Sequence, residues 1–442
     1  MKTAHGDFRR YERTNLRLPI GLEIGNQHLD ADTMNISQGG IALAKNGVSP
    51  LTKGQVIKVN FKSVAGMSTA ARVVHVGPEH VGLSLHKGRL TGQDMDSLID
   101  TAPTWQQLNI KVRRSIWTLS RRAAVLSVNT FLRPLLMAWV RPRFLFAAYG
   151  SRKDVETYLT PRMAKLLPPI MIGGFIRNGK QRGFMVASKY LESELASSSE
   201  RVRDYLENLK SDFGNVQRIA LVGRLPNFVL KSGIPIENPF VSGAMGTRFM
   251  IWDVARQMKA LPQYRDEQGI VVLGGAGRIG NPICEDLLSI FKTVIAFDTR
   301  YEQEEVLSLR GGTLVKTARV ERLGEHKMFI GLTHHGDVIG DWAAYMQEGS
   351  MIADDTHPCI SMEVREKLAA HGVKTMKIVL GHQEFSMMPR LPSWNNRDIP
   401  GCLVEALVLL DHENEVAENF DLFSVAATNA GFKGRLIEPL DE

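Results

Sequence analysis

The segment IVVLGGAGRIG, residues 270–280, limits the fold of this 442-residue chain more than any other stretch. Ile270 to Leu273 predict a short buried strand, the glycines after them a tight turn, and the residues through Ile290 a helix. Gly275, Gly277 and Gly280 stand in GxGxxG spacing. A backbone needs that spacing where it turns sharply, approaches a pyrophosphate closely and packs a helix on a strand, and the helix N-terminus then turns its free N–H groups to the phosphates. A second strand, TVIAF, ends at Asp298, near the spacing of about 20 residues at which an acid meets the ribose hydroxyls. The expected cofactor-binding set is Gly274, Gly275, Gly277, Arg278, Ile279, Gly280, Asp298 and Arg300. Asp298 favours NAD, whereas Arg300 suits a 2′-phosphate and favours NADP, so both cofactors stay open.

A chain of this length calls for two or three domains. From Leu16 to Leu85 short runs such as LRLPIGLEI, GIALA, GQVIKVNF, ARVVHVG and HVGLSL alternate with Gly, Asn and Pro, which predicts a small β-barrel. Between Thr104 and Arg143 the period becomes helical, with Trp105, Leu108, Val112, Ile116 and Leu119 on one side and Arg113, Arg114, Arg121 and Arg122 on another. From Phe144 onward strands and helices alternate: RFLFAAYG, a polar helix, QRGFMVAS, a long helix from Glu192 to Phe213, RIALVG and a helix opened by SGAMGT. The expected divisions are residues 5–100, a helical connector at 104–143, an α/β domain at 144–262 completed by 399–435, and a dinucleotide-binding domain at 268–398.

A net charge of +7 points to anionic partners, but there is no Lys-rich block, so nucleotides or acidic carriers are expected rather than nucleic acid. Cys284, Cys359 and Cys402 are widely spaced without CxxC, which suggests neither a disulfide framework nor zinc and fits a reducing cytoplasm. Met1 to Arg10 contain no apolar stretch of the signal-peptide kind, and Ala123–Val140 is interrupted by Asn129, Arg133 and Pro134, which opposes a spanning helix. The basic amphipathic segment at 105–143 suits packing between domains, the commoner outcome, or peripheral contact with a membrane surface. His334, His335, His357 and His382 follow strands but show no metal spacing and receive no role; no metal is expected.

Two polar clusters stand out near the N-terminus. Arg9, Arg10 and Arg13 precede the first strand, and Asn35, Ser37, Gly39 and Gly40 mark a strand–turn–strand junction. Guanidinium groups suit phosphates and guanine edges, and glycines let backbone come close, so the two clusters suit a bis-phosphate nucleotide. RRYER contains RxxxR as Arg9 and Arg13; NISQGG contains [D/N]xSxxG as Asn35, Ser37 and Gly40. In this order, followed by the barrel pattern, they resemble PilZ domains over about residues 5–100. The resemblance implies cyclic di-GMP as a regulatory ligand, clasped by the arginine arm against the barrel. The fold class is then multidomain β plus α/β: a small PilZ-type β-barrel, a helical connector, and an α/β region with a Rossmann dinucleotide-binding domain.

Cys402 and Glu405 stand three residues apart in IPGCLVEALVLL, which predicts a helix with both on neighbouring positions of one face. On its own, a buried cysteine on an apolar helix more often packs than reacts. Several segments between Phe144 and Arg435 resemble, in the same order, the long-chain acyl-carrier-protein reductases: RFLFAAYGSRKDVETY, RIALVGRLPNFVL, SGAMGTRF, VLGGAGRIG, PGCLVEALVLL and ENFDLFSVAATNAGF. That resemblance implies that Cys402 accepts an acyl group from acyl carrier protein or acyl-CoA, with Glu405 at the matching position, and that a nicotinamide cofactor reduces it to an aldehyde. Gly275-Ala276 departs from the family's Ala-Thr, and Asp298 opposes its NADP preference. The competing expectation is a non-catalytic effector whose dinucleotide domain senses cofactor or binds a partner.

Overall fold

The computed structural model describes residues 14–25, 27–45, 51–87, 90–150, 159–389, 397–412 and 414–438. Arg9, Arg10 and Arg13 lie outside them. The chain forms two compact units, residues 1–123 and 124–442.

The first unit is a closed antiparallel barrel of β1 (Pro19–Ile24), β2 (Gln27–Ser37), β3 (Gly40–Ala44), β4 (Val56–Phe61), β5 (Ser68–Val76) and β6 (His80–Lys87), in the order β1-β2-β3-β6-β5-β4. Alternation fills it: Ile20 and Leu22 of β1, Ile57 and Val59 of β4 and Leu83 of β6 point inward and are buried. Truncating one such side chain, as in Leu22→Ala, costs about 2–5 kcal/mol. β2 is the strand that the apolar runs did not announce. Its Thr33 is buried with both hydrogen-bonding capacities met, donating to the Leu16 carbonyl (2.6 Å) and accepting from the Leu18 N–H (2.9 Å).

The helix Gly92–Asp100 closes one end of the barrel core with Met95, Leu98 and Ile99. A capping box starts it, the Asp94 carboxylate accepting from the Thr91 N–H (2.7 Å) while the Thr91 hydroxyl accepts from the Asp94 N–H (3.1 Å). The helix Thr104–Thr130 follows, and Ile110 joins the same core. It ends before a second helix, Arg133–Val140. Among the described residues no single helix is long and apolar enough to cross a membrane.

The second unit holds two sheets. The first contains β7 (Phe144–Gly150), β8 (Ile170–Asn178), β9 (Gln181–Leu191), β10 (Arg218–Leu221) and β11 (Phe240–Val241). The second contains β12 (Gly269–Leu273), β13 (Thr293–Phe297), β14 (Glu305–Leu309), β15 (Gly312–Thr317), β16 (Met328–Gly331), β17 (Met351–Asp354) and β18 (Lys374–Gly381). Beyond these, β19 (Phe385–Met388) extends the first sheet, and β20 (Asp398–Ile399) and β21 (Lys433–Ile437) pair with β18. In the first sheet β11, β10, β7 and β9 are parallel, and β8 and β19 continue it antiparallel. The parallel strands of the second run β15-β13-β12-β16-β17-β18. Counted along the chain that order is 3-2-1-4-5-6, the doubly wound dinucleotide-binding arrangement, and its switch point lies between β12 and β16.

Two helices, Ala244–Lys259 and Gly401–Leu409, share one core with both sheets; Phe249, Val254, Leu403 and Leu407 join Phe146 and Ala220 to Val272 and Leu380. Two local expectations change. The stretch expected as one helix from Glu192 to Phe213 is two, Glu192–Ser197 and Ser199–Asp212, because Ser198 is extended and its hydroxyl accepts from the Arg201 N–H at 3.3 Å. A strand, β8, also stands before QRGFMVAS, joined to β9 through Gly179 at φ +57°.

Candidate functional site

In the barrel unit, the chain leaving the arginine arm is stapled to β2. The Thr14 N–H donates to the Ile36 carbonyl (2.8 Å) and the Ile36 N–H returns to Thr14 (2.9 Å). Thr14 is therefore held beside the residue between Asn35 and Ser37. Ser37 is buried, and its hydroxyl donates to the Gly40 carbonyl at 3.1 Å, closing the turn. A Cβ at Gly40 would lie 2.7 Å from the Leu83 carbonyl oxygen. Ser37 and Gly40 thus shape the turn, while Asn35 and Gly39 remain half-buried. Asn35 lines a cleft of about 860 Å³ with Thr14, Arg17 and Gln38 on the barrel side and residues of Thr104–Thr130 opposite. That volume suits a nucleotide-sized ligand.

In the second unit the glycine turn follows β12 at the switch point. Gly274, at φ +91°, and Gly275 both donate their N–H groups to the Phe297 carbonyl, at 2.9 and 3.0 Å. A Cβ at Gly275 would lie 2.7 Å from the Ala296 Cβ, and one at Gly280 would lie 2.1 Å from the Gly274 carbonyl oxygen. These two glycines permit the close strand–helix packing that leaves the helix N-terminus open to phosphates. Asp298 directly follows β13, and Arg300 grips it from both sides, Nε to Oδ1 at 2.9 Å and Nη2 to Oδ2 at 2.7 Å. The Ala276 N–H adds a bond to Oδ2 at 3.0 Å. Burial acts to raise the Asp298 carboxyl, but the bonds from Arg300 and Ala276 prevail and hold it below the usual range. The two groups that favour opposite cofactors form one ion pair at the turn. Arg278 is fastened separately, its Nε donating to the Asn227 Oδ1 at 3.0 Å.

Cys402 is the second residue of Gly401–Leu409 and is half-buried. Burial pushes its thiol up to about 12 against a bond from the Gly223 N–H, and the nearby Asp355 and Glu405 carboxyls act in the same direction as burial. Backbone contacts hold it tightly: a Cβ at Gly243 would lie 2.3 Å from the Cys402 Cβ, and one at Gly246 2.1 Å from the Gly401 carbonyl oxygen. Glu405 is buried one turn later, and its Oε2 accepts from the Met245 N–H at 2.7 Å. Bonds from the Gly243 and Gly246 N–H groups complete a cap on the helix Ala244–Lys259, while burial raises the carboxyl. The expected pair therefore divides its work, with Glu405 anchoring the helix against which the thiol sits.

Two groups beside the thiol had not been expected. Asp355 follows β17, its carboxyl pushed up to about 8 by burial and by Asp354 against the pull of Lys377. Tyr149 lies in β7; burial raises its hydroxyl, which accepts from the Arg224 N–H at 3.2 Å. Both stand toward the carboxyl ends of parallel strands, where α/β sheets bind their ligands, and that rule applied to MIADDTH picks out Asp355. The histidines keep structural contacts. His335 Nδ1 accepts from the Asp337 N–H (3.2 Å), and His382 bonds the Glu384 N–H (3.2 Å) and the Ala430 carbonyl (2.9 Å).

Residues 7–99 match the family model described as the PilZ domain, so the N-terminal barrel is a PilZ domain. No curated protein matches the chain. Among solved structures, the Bacillus subtilis inhibitor of motility is 22% identical over 24% of this chain and 53% of its own, with a TM-score of 0.19. The chain thus spans about half of that protein. L-tryptophan dehydrogenase from Nostoc punctiforme is 13% identical over 65% of this chain and 80% of its own, with a TM-score of 0.33. A shikimate dehydrogenase solved with NADP⁺ is 12% identical over 65% and 96%, with a TM-score of 0.32.

Proposed function

We propose that this chain is a cyclic di-GMP receptor whose ligand controls an NAD(P)-dependent reductase, and that the reductase acts on a fatty acyl thioester through Cys402. The observation that carries the reading is the union, in one chain, of a PilZ domain with both signature patterns and a glycine turn at the switch point of a 3-2-1-4-5-6 sheet.

The residues at that turn fit a dinucleotide: Gly275 and Gly280 leave no room for a Cβ, and Asp298 and Arg300 stand where the ribose would reach. A bound nicotinamide would supply the hydride that releases the acyl group as an aldehyde. The chain's own residues do the rest. The Cys402 sulfur attacks the thioester carbonyl, the bond to the carrier sulfur breaks, and the acyl group remains as a thioester on Cys402. The thiol proton passes to Asp355, and from there to the departing carrier thiolate. Because burial raises the Cys402 thiol to about 12, that acceptor is required, and Asp355 serves once it ionises above about pH 8. Gly243 and Gly246 bring the helix Ala244–Lys259 against the thiol, and Glu405 fixes that helix.

The raised thiol also favours a second reading, an effector that binds both ligands without turnover. Oxidation of NADPH or NADH by the purified chain, with fatty acyl thioesters and with or without cyclic di-GMP, separates the two. The enzyme reading expects thioester-dependent turnover that changes with cyclic di-GMP; cofactor binding without turnover leaves the effector. Titration calorimetry tests the receptor half. Arg13→Ala should weaken cyclic di-GMP by about 10- to 150-fold, the worth of one charged hydrogen bond at about 1.5–3 kcal/mol. No heat with the unaltered chain ends the receptor reading.

A further inference from the structure

We infer that the first half of the helix Thr104–Thr130 is the second wall of the dinucleotide site, with Arg113 and Arg114 binding phosphate and Trp117 stacking on a base. The inference rests on the cyclic di-GMP reading and extends it beyond the family match, which ends at residue 99.

The cleft has two faces. Thr14, Arg17, Asn35 and Gln38 line it from the barrel; Arg113, Arg114 and Trp117 line it from the helix, one turn apart. The helix is fastened there. Gln106 is buried, with its Oε1 accepting from the Arg17 N–H at 3.0 Å, and the Gln107 side chain donates to the Ala102 carbonyl at 2.8 Å. Ile110 is buried in the barrel core. The wall is therefore built in place.

Its charge suits a ligand with two phosphates. Among the described residues Arg17, Arg113 and Arg114 line the cleft against a single carboxylate, Asp96, an excess of two positive charges. From Thr104 to Thr130 the helix carries no Asp or Glu. Arg114 Nη1 meets Asp96 at 3.1 Å, but both side chains are more than half exposed, so water screens the pair and it exchanges readily for phosphate. Trp117 is half exposed, and the Arg121 guanidinium lies 4.6 Å from its ring centroid. A cation on one side of an indole leaves a platform for a planar base on the other. A site sensed only by the RxxxR arm and the NISQGG turn would need none of these groups.

The test uses the full chain titrated with cyclic di-GMP, by calorimetry and by tryptophan fluorescence. Arg113→Ala and Arg114→Ala should each weaken binding about tenfold or more, Arg113→Lys should recover part of the loss, and Trp117→Leu should remove ligand-induced quenching. These side chains are exposed, so thermal midpoints should match the unaltered chain; should any variant melt early, the Arg113→Lys comparison decides. If the unaltered chain does not bind, the receptor reading fails and this inference with it. If it binds and Arg13→Ala weakens it while the Arg113, Arg114 and Trp117 variants bind as before, the receptor reading stands and the second wall is wrong.

Discussion

The cleft on the barrel and the pocket around Cys402 are built on opposite principles. At the barrel, guanidinium groups stand at the surface around an open space, and the buried members of the signature, Ser37 and Gly40, only hold the turn. At Cys402 the thiol and the Asp355 carboxyl are half-buried, and the burial moves both far from their ordinary ranges. The first arrangement suits reversible capture of a charged ligand, in which wet ion pairs are exchanged. The second holds Asp355 near the pH at which a carboxyl can accept a proton, while the raised thiol stays protonated unless such an acceptor takes its proton.

The largest expected effect separates these two roles. Cys402→Ala should lower thioester-dependent NAD(P)H oxidation by about a thousandfold or more and leave cyclic di-GMP titrations unchanged. Turnover that survives the substitution removes the thiol mechanism. Next, Gly280→Ala forces a Cβ to 2.1 Å from the Gly274 carbonyl oxygen, a clash expected to cost about 1–3 kcal/mol. Cofactor affinity should fall about tenfold or more while the barrel binds its ligand as before, and equal loss at both sites would break the division of labour.

Asn35→Ala should weaken cyclic di-GMP by about two- to tenfold, one neutral hydrogen bond of about 0.5–1.5 kcal/mol, and leave turnover without the ligand intact. The smallest effect sharpens the contrast in ionisation. Folding raises the Asp355 carboxyl to about 8 from an unfolded value of about 3.9, so the folded state holds the extra proton between them. Stability from this group is full below about pH 4 and is lost as pH rises through 8. Asp355→Asn should therefore flatten the fall in melting temperature between about pH 5 and 8. In turnover the sign reverses, since acylation needs the ionised form, and the rise in rate through pH 8 should vanish in the same variant. A melting profile identical to that of the unaltered chain would show that Asp355 titrates normally.

The parts legible in the sequence were those whose physics is local. The strand–turn–helix at Gly274–Gly280 and the apolar runs of the barrel both foretell the observed architecture. The junction at Asn35 called for a strand entering it, but the extent of β2 was hidden from the apolar runs because it faces inward with Ala31, Thr33 and Ile36 and outward with Asp30, Asp32 and Met34, and the buried Thr33 reads as polar although its bonds to Leu16 and Leu18 satisfy it. β8 was hidden by Gly173 and Gly174, where its register shifts; a Cβ at Gly174 would lie 2.8 Å from the Met388 carbonyl oxygen, a neighbour far along the chain. The same distance in sequence governs the candidate site. Helical spacing put Cys402 and Glu405 on one face, but it could not reveal that the carboxylate caps a helix beginning at Ala244.

The contact of Gly243 and Gly246 with Gly401 and Cys402 has an evolutionary consequence. Gly243, Gly246 and Gly401 each face backbone of the other segment at a distance too short for an added methyl, so each is confined to glycine while the segments stay this close. A relative with a larger residue at 243 must hold the two segments further apart, because a Cβ there would also lie 2.6 Å from the Cys402 Cα.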